Sequence, residues 1–221
     1  PTSLLGLDDR ALVAVGGGKD SVVSVETLRR AGLNPIQFSV NKHPVIDAVM
    51  SVSGLSSLHA RRHLDPHLFE LNEAGALNGH IPVTAINSLI AMATALVVGV
   101  DTVVMSNERS ASEGNLMWHG LEVNHQHSKS LQFERALSEL VAESVSPELR
   151  WFSLLRPLSE LHITHLFAKL PDYHPVFTSC NRAFRLDPVK RTARWCADCA
   201  KCRFVSLALS PWLSREEVTA I

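Results

Sequence analysis

The stretch Leu12-Val-Ala-Val-Gly-Gly-Gly-Lys-Asp-Ser-Val22 decides how this chain is read. Four apolar residues make a short buried strand. Gly16, Gly17 and Gly18 form a turn, and Lys19, Asp20 and Ser21 open an amphipathic segment that runs to Ala31. A strand, a glycine turn and a helix N-terminus in that order bring backbone N–H groups close to an anion, most often a phosphate. Lys19 adds a point charge and Ser21 a hydroxyl. Asp20 would repel a bare phosphate, so it makes sense there only if it holds a metal ion that the phosphates share. The spacing fits neither G-x-x-x-x-G-K-[ST] nor G-x-G-x-x-G. An ordinary strand–turn–helix corner is the plain alternative.

Outward from this turn, short apolar runs alternate with helical stretches. The strand candidates are Ala11–Val15, Pro35–Val40, Thr102–Met105, Arg150–Leu154 and, more weakly, Ser57–Arg61. Helices are expected at Asp20–Ala31, Val45–Ser53, Pro66–Ala74, Val83–Val98, Ser128–Ser144, Pro157–Leu170, Cys199–Ser210 and Ser214–Ile221. Such alternation predicts an α/β fold, a doubly wound parallel sheet of about five strands with helices on both faces. Residues 1–175 would form the nucleotide-binding domain and 176–221 a helical extension. Ligands of such sheets sit beyond the carboxyl ends of the strands. That rule puts Gly16–Ser21, Asn41–His43, Ser106–Asn115 and Leu155–Glu160 on one rim.

Several polar blocks lie on or near that rim. Asn78 and His80 precede the most apolar helix, where Pro82 is ordinary capping chemistry. Arg109, in the block after Met105, suits a phosphate or a carboxylate, and Asn107 or Glu108 a ribose or a metal. His125 and His127 are two apart and would share a face on a strand. With Lys129 they suit proton transfer better than zinc, because no third ligand stands at the right spacing. Arg156 at the rim would suit an anionic substrate, while Ser159 and Glu160 read as a helix cap.

Cys196-Ala-Asp-Cys-Ala-Lys-Cys202, with Cys180 sixteen residues earlier, supplies four thiolates. Tetrahedral zinc on Cys180, Cys196, Cys199 and Cys202 is the leading reading, and an iron–sulfur cluster or uncoordinated thiols are the rivals. A closed four-ligand site would be structural and would pin Cys180 to the last long helix.

The turn resembles the PP-loop, S-G-G-x-D-S, of the ATP pyrophosphatases, with Gly16 in place of the first serine. Seven blocks then occur in order: V-G-G-G-K-D-S, N-G-H-I-P-V-T-A-I, M-S-N-E-R-S-A, N-H-Q-H-S-K-S, S-L-L-R-P-L-S-E-L, S-C-N-R-A-F and W-C-x-x-C-x-K-C. Together they resemble the bacterial UDP-N-acetylmuramoyl-L-alanyl-L-glutamate epimerase family over roughly residues 10–213. His127 stands where that family's pattern carries a tyrosine. The resemblance implies a cytoplasmic enzyme of peptidoglycan precursor synthesis that uses ATP and Mg²⁺. It inverts the terminal L-glutamate of a UDP-MurNAc dipeptide through an acyl-adenylate. It further implies that Gly16, Gly17, Gly18, Lys19, Asp20 and Ser21 hold the phosphates, with Asn41 and Asn107 nearby. The base is then sought among His125, His80 and Lys129, with Arg109 beside it. The cysteine cluster is also similar to the zinc site of 7-cyano-7-deazaguanine synthase, which makes an adenylating ligase the alternative. The family carries more sequence before this region, so the chain, which starts at Pro1, reads as its catalytic part.

Bulk properties agree with a small-molecule enzyme. The chain has 221 residues, 21 Lys and Arg against 22 Asp and Glu, and a net charge of −1. No basic stripe offers itself to nucleic acid or a membrane surface. The most apolar run, Ala85 to Val100, is broken by Asn87 and Ser88 and is too short to span a bilayer. No signal peptide is visible, and four clustered cysteines suit a reducing compartment.

Overall fold

The first strand, β1 (Asp8–Ala14), runs through the middle of the sheet and ends at the glycine turn. The structure, a computed structural model, describes residues 4–77, 81–185 and 188–221. The later strands are β2 (Ile36–Val40), β3 (Ser57–Ala60), β4 (Val100–Met105), β5 (Leu116–Trp118), β6 (Leu121–Val123) and β7 (Arg150–Ser153). The main sheet is parallel throughout, in the order β3-β2-β1-β4-β7.

Side chains alternate across this sheet, and each face has its own helices. Leu12 and Val103 point into one core, against Met92 and Ala95 of α4 (Val83–Val98) and Leu137 and Val141 of α5 (Leu131–Ser144). Val13 and Val104 point into the other. There they meet Val22 and Val25 of α1 (Lys19–Arg30) and Val49 of α2 (Pro44–Ser53). Phe167 of α6 (Glu160–Ala168) and Val205 of α7 (Ala200–Leu209) complete that core. Residues on both sides of position 175 therefore contribute to one core. Two short helices, α3 (His67–Glu73) and α8 (Arg215–Ala220), hold no fully buried residue, though Val218 of α8 packs partly buried against the second core. Gln37 is the polar exception inside β2. Its amide donates to the Met50 and Leu55 carbonyls, so its burial leaves no donor wasted. Among the described residues no helix is long and apolar enough to cross a membrane.

The order of strands has its reversal between β1 and β4. The chain leaves β1 toward β2 and β3 and returns on the other side at β4. That switch point opens a crevice at the strand ends.

Two local readings need correction. The helix expected at Ser128–Ser144 is split: His127–Lys129 is a single 3-10 turn, and Ser130 then caps α5 by accepting from the Phe133 amide at 3.1 Å. Hydroxyl capping outcompetes helix continuation at that serine. His125 and His127 therefore do not share a strand face, since β6 ends at Val123. The hairpin β5–β6 was not anticipated. His119 and Gly120 both take positive φ, +47° and +77°, as a two-residue hairpin turn requires.

Candidate active site

The glycine turn is fixed from inside. Gly17 sits at φ +81°, and a Cβ there would press on Val45 at 3.2 Å. A Cβ on Gly18 would meet the Ser179 hydroxyl at 3.1 Å. Gly16 differs: nothing lies within 4 Å of where its Cβ would stand, so it faces open space that a ligand can enter. The Ser21 hydroxyl donates to the Gly18 carbonyl at 3.0 Å and accepts from the Gly16 amide, which ties the turn to the first turn of α1.

Lys19 is only 2% exposed. Its ammonium pairs with Asp20 at 2.5 Å and with Glu160, the first residue of α6, at 3.0 Å. Burial pulls its pKa down, but the two carboxylates more than compensate, so it ends above the usual lysine value and stays charged. Asp20 keeps 38% of its side chain exposed, turned toward solvent beside the turn.

Two cavities meet at Asp20. The first, about 490 Å³, lies over the switch point. Its floor is the turn with the ends of β2 (Phe38, Ser39, Val40) and β4 (Met105, Ser106, Asn107), and Thr84 and Asn87 of α4 close one side. The far wall is the segment Thr178–Asn181 with Phe184. The Thr178 amide donates to Gly17 at 3.0 Å, which joins that wall to the turn. The side-chain oxygen of Asn87 is buried and has no hydrogen-bond partner among the described residues. An orphaned acceptor beside a cavity of this size is the kind of group a ligand satisfies.

The second cavity, about 250 Å³, is bounded by charged groups. Asp20, Ser106 and Asn107 belong to it as well as to the first cavity. Glu108, Glu113, Glu160, His125, Lys129 and Lys201 add the titratable side chains. Asn115 Oδ1 accepts from the His125 backbone amide at 3.0 Å and lies 2.8 Å from the ring Nδ1, while the Gln126 side-chain amide lies 3.3 Å from Nε2, so the ring presents Nδ1 to Asn115 and Nε2 to Gln126. Burial, and then the charge of Lys201, push Lys129 below the ordinary lysine value. Arg156 braces this cavity from beneath. Its guanidinium donates to the carbonyls of Glu108 and Lys129 and pairs with Glu134 at 2.8 Å.

The four cysteines converge. All of their sulfurs lie within 4.8 Å of one another, with separations of 3.5, 3.7 and 3.9 Å among three of the pairs. A tetrahedron with metal–sulfur bonds of about 2.3 Å has edges of about 3.8 Å, so the donor set fits a tetrahedral ion. The amides of Arg182 and Cys199 donate to the sulfurs of Cys180 and Cys196. Burial raises the Cys199 thiol, but amide and thiol donors outweigh it and bring it down to about 6. Burial pushes Cys202 up to about 12. Cys180 also lines the first cavity, so the cluster anchors that wall.

The residues singled out in the sequence are not all together. Gly16, Gly18, Asp20, Ser21 and Asn107 line the first cavity, and His125 and Lys129 the second. Lys19 stands beneath the turn and Gly17 packs inward. Asn41 lines neither cavity. Its φ is +64°, and its side chain accepts from the Arg62 amide at 2.7 Å, holding the turn after β2. Arg109 is exposed and also lines neither cavity. His80 lies outside the described residues. The sequence reading gave no site role to Asn87, Ser179, Asn181, Phe184 and Lys201, and did not see Glu160 as the second partner of Lys19. Glu160 stood at a strand-end rim position but was explained as a cap. Asn87 was visible only as a polar break in an apolar helix.

Comparison with known proteins gives the chain a family. Residues 1–154 match the MurL N-terminal domain and residues 176–221 the MurL C-terminal domain. A protein of a Micromonospora strain is 59% identical over 97% of this chain and 47% of its own length. One of Salinispora tropica is 58% identical over 96% of the chain and 46% of its own length. One of Xanthomonas oryzae pv. oryzae is 49% identical over 98% and 48%. All three are named UDP-N-acetyl-alpha-D-muramoyl-L-alanyl-L-glutamate epimerase. The chain spans about half the length of these relatives. On the match of both its domains, the chain belongs to the MurL family.

Proposed function

We propose that this chain forms the ATP-dependent, PP-loop part of a cytoplasmic epimerase. The enzyme would invert the terminal L-glutamate of UDP-MurNAc-L-Ala-L-Glu during peptidoglycan precursor synthesis. The observation that carries the reading is Asp20, which borders both cavities at the mouth of a glycine turn. A nucleotide in the first cavity and a peptide carboxylate in the second would meet there. The names of the three relatives support the substrate.

The chemistry gives each residue a task. The α-proton of a free glutamate is very weakly acidic, because the carbanion would sit beside a carboxylate. Transfer of AMP to that carboxylate removes its charge, expels pyrophosphate and makes the α-carbon acidic enough for a side-chain base. Open Gly16 and the N-terminal amides of α1 receive the phosphates. Lys19, already neutralised by Asp20 and Glu160, keeps the first turn of α1 in place more than it adds free charge. Asp20 would hold Mg²⁺, which supplies charge neutralisation to the leaving phosphates. His125 and Lys129 are the two described candidates for proton abstraction. Return of a proton to the opposite face inverts the centre, and water then releases AMP. Zinc is the ion proposed for the four cysteines, as a closed structural site.

Adenylation alone would also serve a ligase, so the test lies at the α-carbon. With ATP and the UDP-MurNAc dipeptide in deuterated water, the inverted product should carry deuterium at Cα. His125→Ala should keep forming AMP by adenylate hydrolysis while inversion and exchange fall together, by roughly 10²–10⁴-fold. AMP formation without any deuterium incorporation by the whole protein would refute the epimerase reading. An unchanged exchange rate in His125→Ala would remove His125 and leave Lys129 and His80 as the candidates.

A further inference from the structure

The cations around the site fall into two kinds. Lys19 is held by two carboxylates and Arg156 by Glu134. Lys129 and Lys201 both line the second cavity, and neither has a carboxylate within 4.0 Å among the described residues. The two ammonium groups share this cavity with Asp20, Glu108, Glu113 and Glu160; Asp20 and Glu160 are drawn to Lys19, so a ligand carboxylate can take up a lysine that the described carboxylates leave without an ion pair. They also differ from each other. Lys129 is half-buried, and its charged form is disfavoured by burial and by Lys201 itself, with Asp20 and Glu108 pulling the other way. That suits a base. Lys201 is exposed, with its ammonium 5.7 Å from the Phe204 ring centroid. Its backbone lies between Cys199 and Cys202, so the cysteine cluster fixes where the side chain starts.

We infer that Lys201 recognises the side-chain carboxylate of the substrate's terminal glutamate, and so makes the second cavity specific for a dicarboxylic residue. The inference rests on the epimerase reading. Adenylation would neutralise only the α-carboxylate, so the γ-carboxylate remains the one fixed negative charge on the glutamate. A free ammonium on the wall of the same cavity is its complement, and charged hydrogen bonds of this kind discriminate strongly against an isostere that lacks the charge.

The test pairs a residue change with a substrate change. Wild-type protein should bind and exchange the L-glutamate dipeptide substrate far better than its L-glutamine analogue, on the order of 10- to 100-fold. Lys201→Met should lose most of that preference by weakening the glutamate substrate, with the KM for ATP little changed. Lys201→Arg should restore part of it. Metal content and melting temperature, read on each variant, separate a specificity effect from collapse of the cysteine cluster. Should Lys201→Met disturb the cluster, Lys201→Gln and equilibrium binding of both dipeptides without ATP decide the point. A glutamate preference that survives in Lys201→Met or Lys201→Gln overturns the inference. So does a defect confined to ATP or pyrophosphate, which would give this cation to the phosphates. Absence of deuterium exchange in the wild type would refute the epimerase reading instead.

Discussion

The two cavities that meet at Asp20 are built on different principles. The first is made by regular structure: strand ends, a helix N-terminus and a glycine turn whose polar groups are mostly satisfied by one another. The second is made by turns and the first residues of helices, and it gathers a histidine, carboxylates and two lysines that have no ion-pair partner among the described residues. A ligand read by backbone amides needs a rigid cradle and little net charge. A ligand whose own charge changes during reaction needs side chains whose protonation can change with it. The contrast implies that damage to the first should stop the reaction outright, whereas damage to the second should misdirect it.

Asp20 belongs to both and is the largest test. Asp20→Ala should lower AMP formation on the order of a thousandfold, since it removes the proposed metal-holding carboxylate at the phosphates. The side chain is 38% exposed and Glu160 remains on Lys19, so the fold should survive, with a melting temperature close to wild type. AMP formation near the wild-type rate would remove Asp20 from the nucleotide site.

That same boundary marks how much the sequence could say. The sheet was legible because a parallel strand buried on both faces leaves a continuous apolar run, as at Leu12–Val15 and Val103–Met105. The turn was legible because glycine spacing and Lys-Asp-Ser sit next to each other in the chain. The walls were not, because they come together only in space. Phe184 and Asn181 reach the first cavity from a segment more than 150 residues from the turn. Asn41 stands outside both cavities for a local reason: its positive φ and its bond to Arg62 use the side chain for the turn itself. The hairpin had a signal, His119-Gly120 between Trp118 and Leu121, but its strands are only three residues each. In the block after Met105, Ser106, Asn107, Glu108 and Ser110 line the cavities and Arg109 does not.

The cysteine cluster sharpens the comparison further, because it supports both cavities. Cys180 lines the first and Lys201, between Cys199 and Cys202, lines the second. Elemental analysis should find about one zinc per chain. Cys199→Ser should lose the ion and destabilise the protein by at least about 3 kcal/mol, roughly 10 °C in melting temperature for a chain of this size. Nucleotide binding should weaken in step with metal loss on chelation, because the Thr178–Asn181 wall is tied to the turn through Thr178 and Gly17. Unchanged nucleotide affinity in metal-free, still-folded protein would mean that the wall holds without the ion.

The smallest effect expected is on stability alone, and it isolates Lys129. Its pKa is lowered in the folded protein from 10.5, first by burial and then by Lys201. Between the folded value and 10.5 the unfolded chain therefore binds more protons than the folded one at this site. Stability rises with pH across that window and carries a penalty below it. Lys129→Met removes the titrating group, so the wild type should gain on the variant as pH climbs toward 10.5. At neutral pH the variant should match or exceed the wild type by about 0.5 kcal/mol, the size of an ordinary surface change. Denaturant melts of both proteins at neutral pH and near pH 10 give the difference, with the titrating groups that do not interact with Lys129 cancelling between them. A wild-type advantage that is the same at both pH values would mean that Lys129 keeps an ordinary affinity for its proton, and would leave His125 as the better base.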